Sequence, residues 1–435
     1  MNLESHSING LSGEVICPGD KSISQRILII GSLLNCDIKI YGFLDAEDPN
    51  STMLALNNLG ASIKKDKNIV SISHRSKPFS NPSSFLDLGN SGTGMRLLTG
   101  FISGLNIEAT LIGDDSLSKR PMSRVVDPLT SMGKEISTNS GKAPIQIIGG
   151  NIKDNFEYVM PIASAQVKSS LMLASLSSGN SIKITESKIT RDHTEKMIEY
   201  LGGSIEVSES SEGKTIFLKN SKLSKISTYE VVGDFSSAAF IIVAALISKN
   251  SEVMIKNVGL NKTRSGLLEV LLKMNANIEI INKTKTCNED CGDIIVKSSQ
   301  LEGINVPNNI IPNIIDEIPI LSVAASFAEG QTIIKNASEL KVKESDRLHA
   351  TSMGLKTMNI KHDLLDDGLI INGTQDDVEI HKEIESFGDH RIAMSFLIAG
   401  LRSKNGVKVR DCSNIETSFP DFTKTMNNLG MNINE

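Results

Sequence analysis

Six times along the chain, a short polar start gives way to an apolar run rich in small residues. A Gly or Asn break and a stretch of alternating apolar and polar positions follow. The starts fall at Asp20, Asn90, Ser164, Asp234, Asp316 and Asp389, spaced 70 to 82 residues apart. The runs GDKSISQRILIIGSLL from Gly19 and GDFSSAAFIIVAALIS from Gly233 are the closest pair. In the first, Ile23, Ile27, Ile30 and Leu34 recur at helical spacing, which predicts a helix with one apolar face. A second marker keeps the same period: Leu59-Gly60, Met132-Gly133, Leu201-Gly202, Met274-Asn275, Met358-Asn359 and Leu429-Gly430 each close an amphipathic stretch. Gly or Asn at that place predicts a left-handed helix end. The pattern therefore predicts six units of roughly 70 residues, each with two helices and several strands, a period that suits βαβαββ subdomains better than a solenoid.

Six units divide as three plus three. The matched starts at Gly19-Asp20 and Gly233-Asp234 make natural crossing points between two lobes. One lobe is expected over residues 20–232 and the other over 1–19 with 233–435, the first strand joining the C-terminal lobe. At 435 residues the chain exceeds the roughly 250–300 at which a single core stops growing, so two domains are expected on size alone.

Composition narrows the function. Net charge is -6, and aromatics are scarce, with Phe 13, Tyr 4 and Trp 0, which argues against a nucleic-acid reader. The longest apolar stretch, Ala238 to Ile247, falls far short of the roughly 20 residues of a membrane span. The N-terminus lacks the features of a secretory or transit leader. Five scattered cysteines fit a reducing compartment, and Cys287 with Cys291 lacks the second pair or His that a zinc site needs. A cytoplasmic monomer without metal is expected.

The candidate chemistry gathers at the helix starts. A helix N-terminus presents open N–H groups and a positive dipole end, which favour anions. Cations stand there in several units: Lys21 and Arg26, Arg96, Lys168, and Arg391. Two loops add Lys119-Arg120 and Lys343-Glu344-Ser345-Asp346-Arg347. An acidic protein with cations at equivalent helix starts reads as a binder of small polyanions. Structural alternatives stand beside this reading. Lys21 could be a solvated first-turn lysine, and Asn90, Asp316 and Asp389 could simply cap helices. The run 343–347 could be a salt-bridged surface. No Walker loop and no GxGxxG after a strand is present.

Nine motifs carry a resemblance. They are Pro-Gly-Asp-Lys-Ser from Pro18, Gly-Asn-Ser-Gly-Thr-Gly-Met-Arg from Gly89, Lys-Arg-Pro-Met from Lys119 and Ser-Ala-Gln-Val-Lys-Ser from Ser164. Thr-Arg-Asp-His-Thr-Glu-Lys-Met follows from Thr190, then Ile-Asp-Glu from Ile315 and Val-Lys-Glu-Ser-Asp-Arg-Leu from Val342. Asp-His-Arg-Ile-Ala-Met-Ser-Phe from Asp389 and Thr-Ser-Phe-Pro from Thr417 complete the set. In this order the chain resembles the 5-enolpyruvylshikimate-3-phosphate synthase family, in its class II branch. The resemblance implies a two-lobed, inside-out α/β fold of six βαβαββ subdomain repeats, three per lobe. It implies transfer of the enolpyruvyl group of phosphoenolpyruvate to the 5-hydroxyl of shikimate 3-phosphate, with release of phosphate and no cofactor.

By the same resemblance, Lys21, Ser22, Arg26, Ser164, Gln166, Arg191, Asp316 and Lys343 would hold shikimate 3-phosphate. Lys21, Gly92, Arg120, Gln166, Arg347 and Arg391 would hold phosphoenolpyruvate. Asp316 would be the base at the hydroxyl and Glu344 the acid/base at the methylene, with Lys21 assisting. Thr417 stands where some relatives carry Lys, and Gly92 lacks the methyl of an Ala found in others, which implies a roomy pocket and inhibition by glyphosate. Two rivals are weaker. A UDP-N-acetylglucosamine enolpyruvyl transferase would resemble a Lys-Asn start and a Cys-bearing loop, whereas Ser22 follows Lys21 and no Cys lies in Asp114 to Arg120. An inactive phospho-ligand binder would be expected to have lost Asp316 or Glu344.

Overall fold

Each of the six apolar runs forms a helix, and five begin on a side chain of their own sequence. Asp20 accepts the N–H of Ile23 at 2.8 Å ahead of the helix Lys21–Leu34. Ser91, Ser164, Asp234 and Asp389 likewise accept a first-turn N–H of Gly92–Gly104, Ala165–Ser178, Phe235–Ile247 and His390–Ala399. Such side chains satisfy amides that a helix start leaves open. The sixth helix, Ile318–Ser326, carries Pro319 in its first turn, where a missing N–H costs nothing. At the second marker, Gly60, Gly133, Gly202, Asn275, Asn359 and Gly430 all have positive φ, between 58° and 107°. The left-handed ends expected from the sequence are present in all six units.

The computed structural model describes residues 1–66, 69–210 and 213–435. It divides into two compact units. The first comprises Met1–Pro18, Val232–Lys285 and Asp290–Glu435, and the second Gly19–Val231 with Thr286–Glu289. The last four residues pack with the second unit although the strands on either side belong to the first.

Sheet order repeats as well. Strands Leu86–Asp87, Ala109–Ile112, Lys142–Gly150 and Lys134–Asn139 lie side by side in that order, the first pair parallel and the rest antiparallel. Phe156–Met160, Ile182–Glu186, Gly213–Leu218 and Ile205–Ser210 repeat the arrangement. In the unit begun by Lys21–Leu34, the outer parallel strand is Thr228–Glu230, paired with Ile38–Tyr41. Two strands precede Gly19, and they go to different sheets of the first unit. Ser12–Ile16 pairs in parallel with Glu252–Gly259, and Leu3–His6 lies between Val407–Arg410 and Asn432–Asn434. The remaining sheet has three strands, with Asn305 bridging Ile333 where a fourth would stand.

Helices lie inside and sheets outside. All residues of Phe235–Ile247, Ile318–Ser326 and His390–Ala399 are buried. The strand Lys142–Gly150 instead alternates, with Ala143, Ile145 and Ile147 inward and Lys142, Gln146 and Ile148 exposed. This corrects the single apolar face expected of Lys21–Leu34, which is buried nearly all round. Its inward polar residues find partners on other segments: Gln25 Nε2 donates to Ser91 Oγ at 2.7 Å and Thr52 Oγ1 at 3.1 Å. Among the described residues no helix is long and apolar enough to cross a membrane.

Close helix contact sets the spacing on which the candidate site depends. A Cβ on Gly100 would lie 2.0 Å from the carbonyl oxygen of Ser170, and one on Gly104 2.0 Å from Ser177 Oγ. Neither position admits a side chain without moving backbone or neighbours apart. Gly100→Ala is therefore expected to destabilise the second unit by about 1–3 kcal/mol. Denaturant unfolding monitored by circular dichroism checks this, and an unchanged midpoint would contradict the close packing.

Candidate active site

In the second unit, three helix starts bring cations and amides together. Lys21 Nζ lies 3.0 Å from Asp48 Oδ2, with its side chain mostly buried, so it is not a solvated lysine. Arg26, one turn on, is buried and spans two motifs. Its Nε donates to Thr194 Oγ1 at 2.8 Å, one NH group to Ser169 Oγ at 3.0 Å and the other to the Ser22 carbonyl at 3.0 Å. Burial pulls its pKa down to about 10, with the nearby Arg191 adding to the effect, yet it remains charged at neutral pH. Thr194 also bonds Ser169, which ties the stretch carrying Arg191 to the helix Ala165–Ser178.

Gly92 opens the second helix, between two guanidiniums. A Cβ there would stand 3.0 Å from an NH group of both Arg120 and Arg96. Arg96 donates to Gln166 Oε1 at 3.0 Å, while Gln166 Nε2 donates to Thr93 Oγ1 at 3.0 Å. That fixes which end of the Gln166 amide points where. Asn90 is not the cap: Ser91 is, and Asn90 Oδ1 accepts from Arg120 instead. Ser164 caps its helix by accepting the Val167 N–H at 3.4 Å.

Lys168 departs from the expectation of an anion-binding cation. Its Nζ is fully buried, 2.6 Å from Glu195 and 3.0 Å from Glu186. Burial pulls its pKa down, and the two carboxylates outweigh that and hold it above the ordinary value. Lys168 is thus an internal clamp on the segment carrying Arg191. A second clamp is His193, whose Nδ1 lies 2.7 Å from Glu289.

The first unit collects carboxylates as well as cations. Arg347 is 1% exposed and faces three acids: Nε to Asp389 Oδ2 at 2.8 Å, one NH to Asp316 Oδ1 at 3.1 Å, and the other to Glu344 Oε2 at 2.5 Å. Burial pulls its pKa down, but Asp389, Glu344 and Asp316 overcome this and raise it above that of ordinary arginine. Lys343 Nζ sits 3.4 Å from Asp316 Oδ1. The charged run 343–347 does contain an internal salt bridge, Glu344 to Arg347, but its arginine is turned inward onto Asp316 and Asp389. Asp389 fulfils the capping alternative while also holding Arg347. Asp316 does not cap; the residue at that position is Glu317, whose side chain makes no capping bond. Instead Asp316 offers its backbone carbonyl to Arg391 at 3.0 Å.

Four contributors were given no part in the site by the sequence reading. Glu317, fully buried, accepts from Arg391 at 3.3 Å and from Ser236 Oγ. Asp234 pairs with Arg264 at 3.0 Å, and Arg264 approaches Asp316 Oδ2 at 3.8 Å. Asp48 holds Lys21. Three of the four are acids, and Arg264 stands at none of the six apolar-run starts, so a search for cations at those starts gave no signal for them. Thr417 is buried, its hydroxyl donating to the Asn414 carbonyl at 2.7 Å, and it brings no charge.

Comparison with known proteins gives the family and the fold. The family model described as EPSP synthase (3-phosphoshikimate 1-carboxyvinyltransferase) matches residues 6–426. A 3-phosphoshikimate 1-carboxyvinyltransferase of Petrotoga mobilis is 44% identical over 429 residues, covering 98% of each chain. One of Legionella pneumophila is 41% identical over 437 residues, covering 100% of this chain and 99% of that one. The solved EPSP synthase of Acinetobacter baumannii superposes with a TM-score of 0.86 at 38% identity, both chains fully covered. The enolpyruvyl transferase NikO of Streptomyces tendae, at 15% identity and a TM-score of 0.77, covers 100% of this chain and 98% of its own and shares the fold. The chain belongs to the EPSP synthase (3-phosphoshikimate 1-carboxyvinyltransferase) family.

Proposed function

We infer that the chain is an enolpyruvyl transferase that joins phosphoenolpyruvate to the 5-hydroxyl of shikimate 3-phosphate and releases phosphate, the activity of its family. The relatives favour this over the UDP-N-acetylglucosamine reading. The observation that carries the mechanism is a single buried guanidinium, Arg347, shared by Asp316 and Glu344. Both carboxylates are drawn onto that one side chain.

In this reading Asp316 takes the proton of the 5-hydroxyl as the oxygen attacks C2 of phosphoenolpyruvate. Glu344 delivers a proton to the methylene carbon, giving a tetrahedral adduct, and Lys21 assists. Glu344 then removes a methyl proton, C2=C3 re-forms, and phosphate leaves with the C–O bond electrons. Proton transfer of this kind contributes about 100- to 10,000-fold each. Arg347 and Arg391, with Lys21, Gly92, Arg120 and Gln166, hold phosphoenolpyruvate; the incoming anion takes over the part of Arg347 that Glu344 occupies. Lys21, Ser22, Arg26, Ser164, Gln166, Arg191, Asp316 and Lys343 hold shikimate 3-phosphate. The scheme uses no cofactor, and the chain acts as a cytoplasmic monomer.

The test is phosphate release with both substrates and with each omitted. Release is expected only with both, and kcat is expected to fall by about 100-fold or more in Asp316→Asn and in Glu344→Gln. Release without shikimate 3-phosphate, or none at all from folded protein, would overturn the reading.

Gly92 supplies a second expectation. The Cβ of Gly92→Ala would press on Arg96 and Arg120, so the variant is expected to raise KM for phosphoenolpyruvate while leaving KM for shikimate 3-phosphate near its starting value. Glyphosate is expected to inhibit the parent protein and to lose potency in the variant. Steady-state inhibition curves check both, and full parent activity at saturating glyphosate would contradict the roomy pocket.

A further inference from the structure

Asp316 stands in a crowd of like charges. Glu344 and Asp389 share Arg347 with it, Glu317 follows it in sequence, and Asp234 lies across Arg264. Neighbouring carboxylates favour the protonated form of any one of them, and nearby cations oppose that. The cations are not equivalent. Lys343 and Arg347 both face Oδ1 of Asp316, and Arg391 is engaged with its backbone carbonyl and with Glu317. Arg264 faces the other oxygen, Oδ2, at 3.8 Å, and also comes within 4.0 Å of Glu317.

Arg264 also differs in what holds it. Its backbone is fixed in a turn, donating to the Asn261 carbonyl at 2.8 Å just ahead of the helix Gly266–Lys273. One NH group is bonded at 3.0 Å to Asp234, the carboxylate that starts the helix Phe235–Ile247. The side chain is 4% exposed, against 24% for Lys343. Lys343 is within reach of an anionic substrate and, in the proposed scheme, is drawn to it. Arg264 is screened from solvent, so its charge stays with Asp316 through the whole cycle.

We propose that Arg264 is a positioning residue for the reaction, its charge beside Oδ2 holding Asp316 ionised so that the carboxylate can accept the substrate proton. The proposal rests on the reading of Asp316 as the base. It assigns a reaction role to the Asn261-Lys262-Thr263-Arg264 turn, which lies outside the nine motifs.

The test is the pH dependence of kcat/KM for shikimate 3-phosphate in the full-length protein, for the parent, Arg264→Gln, Arg264→Lys and Asp316→Asn. Titration of the substrates is common to all and cancels in the comparison. Loss of a cation beside a carboxylate raises its pKa, so the acid limb of Arg264→Gln is expected to move up by about 1 pH unit or more. The plateau at higher pH should recover much of the rate. Arg264→Lys, which keeps the charge, should keep its limb close to that of the parent. A purely structural role would lower the plateau at every pH and leave the limb in place, and that result in folded Arg264→Gln overturns the proposal. If Arg264→Gln does not fold, the double variant Asp234→Asn/Arg264→Gln replaces it. Asn still caps the helix there and no carboxylate is stranded, and an unmoved limb is equally fatal. Full activity in Asp316→Asn would instead refute the base assignment, and the proposal with it. An inactive Asp316→Asn beside an unmoved limb refutes the role of Arg264 alone.

Discussion

A guanidinium cannot be taken out of water alone; the cost of desolvation must be offset by carboxylates held at hydrogen-bond distance. Arg347 is that case, 1% exposed with Asp389, Asp316 and Glu344 around it. The surrounding structure follows from this demand. Asp389 must sit at the start of the helix His390–Ala399, and Asp316 must be in a turn rather than in a cap. The segment ahead of Arg347–Thr357 must bend so that Glu344 returns onto the same side chain. An arrangement that solves a burial problem also gathers Asp316 and Glu344 onto one side chain.

The second unit meets the same demand differently. Its buried Lys168 is neutralised by Glu186 and Glu195, while Lys21, Arg26, Arg96 and Arg120 keep mostly neutral partners or a single acid. One unit therefore sets several carboxylates among its cations, and the other sets its cations mainly against hydroxyl, amide and carbonyl oxygens.

Much of this was legible in the sequence because it is written locally. Helix starts at Asp20, Asn90-Ser91, Ser164, Asp234 and Asp389 are set by a side chain and an amide two or three residues apart. The positive-φ helix ends depend on a single Gly or Asn. What was illegible depends on partners far away. Lys168 reads as an anion binder until Glu186 and Glu195 are seen against it. Lys21–Leu34 reads as a helix with a single apolar face because its inward polar residues find partners on other segments, as Gln25 does at Ser91. Arg264 lacks periodicity and motif alike, and its significance comes only from its closeness to Asp234 and Asp316.

The exchange of strands between chain segments bears on how the protein is made. Ser12–Ile16 is made well before its partner Glu252–Gly259, which follows more than 200 residues later, and Leu3–His6 needs Asn432–Asn434, more than 400 residues on. The second unit, whose sheet closes with Thr228–Glu230, can fold while the ribosome is still adding the rest, save for its short 286–289 insert. The first unit cannot finish until Asn432–Asn434 has been made, and the strands Leu3–His6 and Ser12–Ile16 wait meanwhile as unpaired edges. Nascent chains thus carry sticky strands over several hundred residues of elongation, and shielding them falls to whatever meets the chain at the exit tunnel.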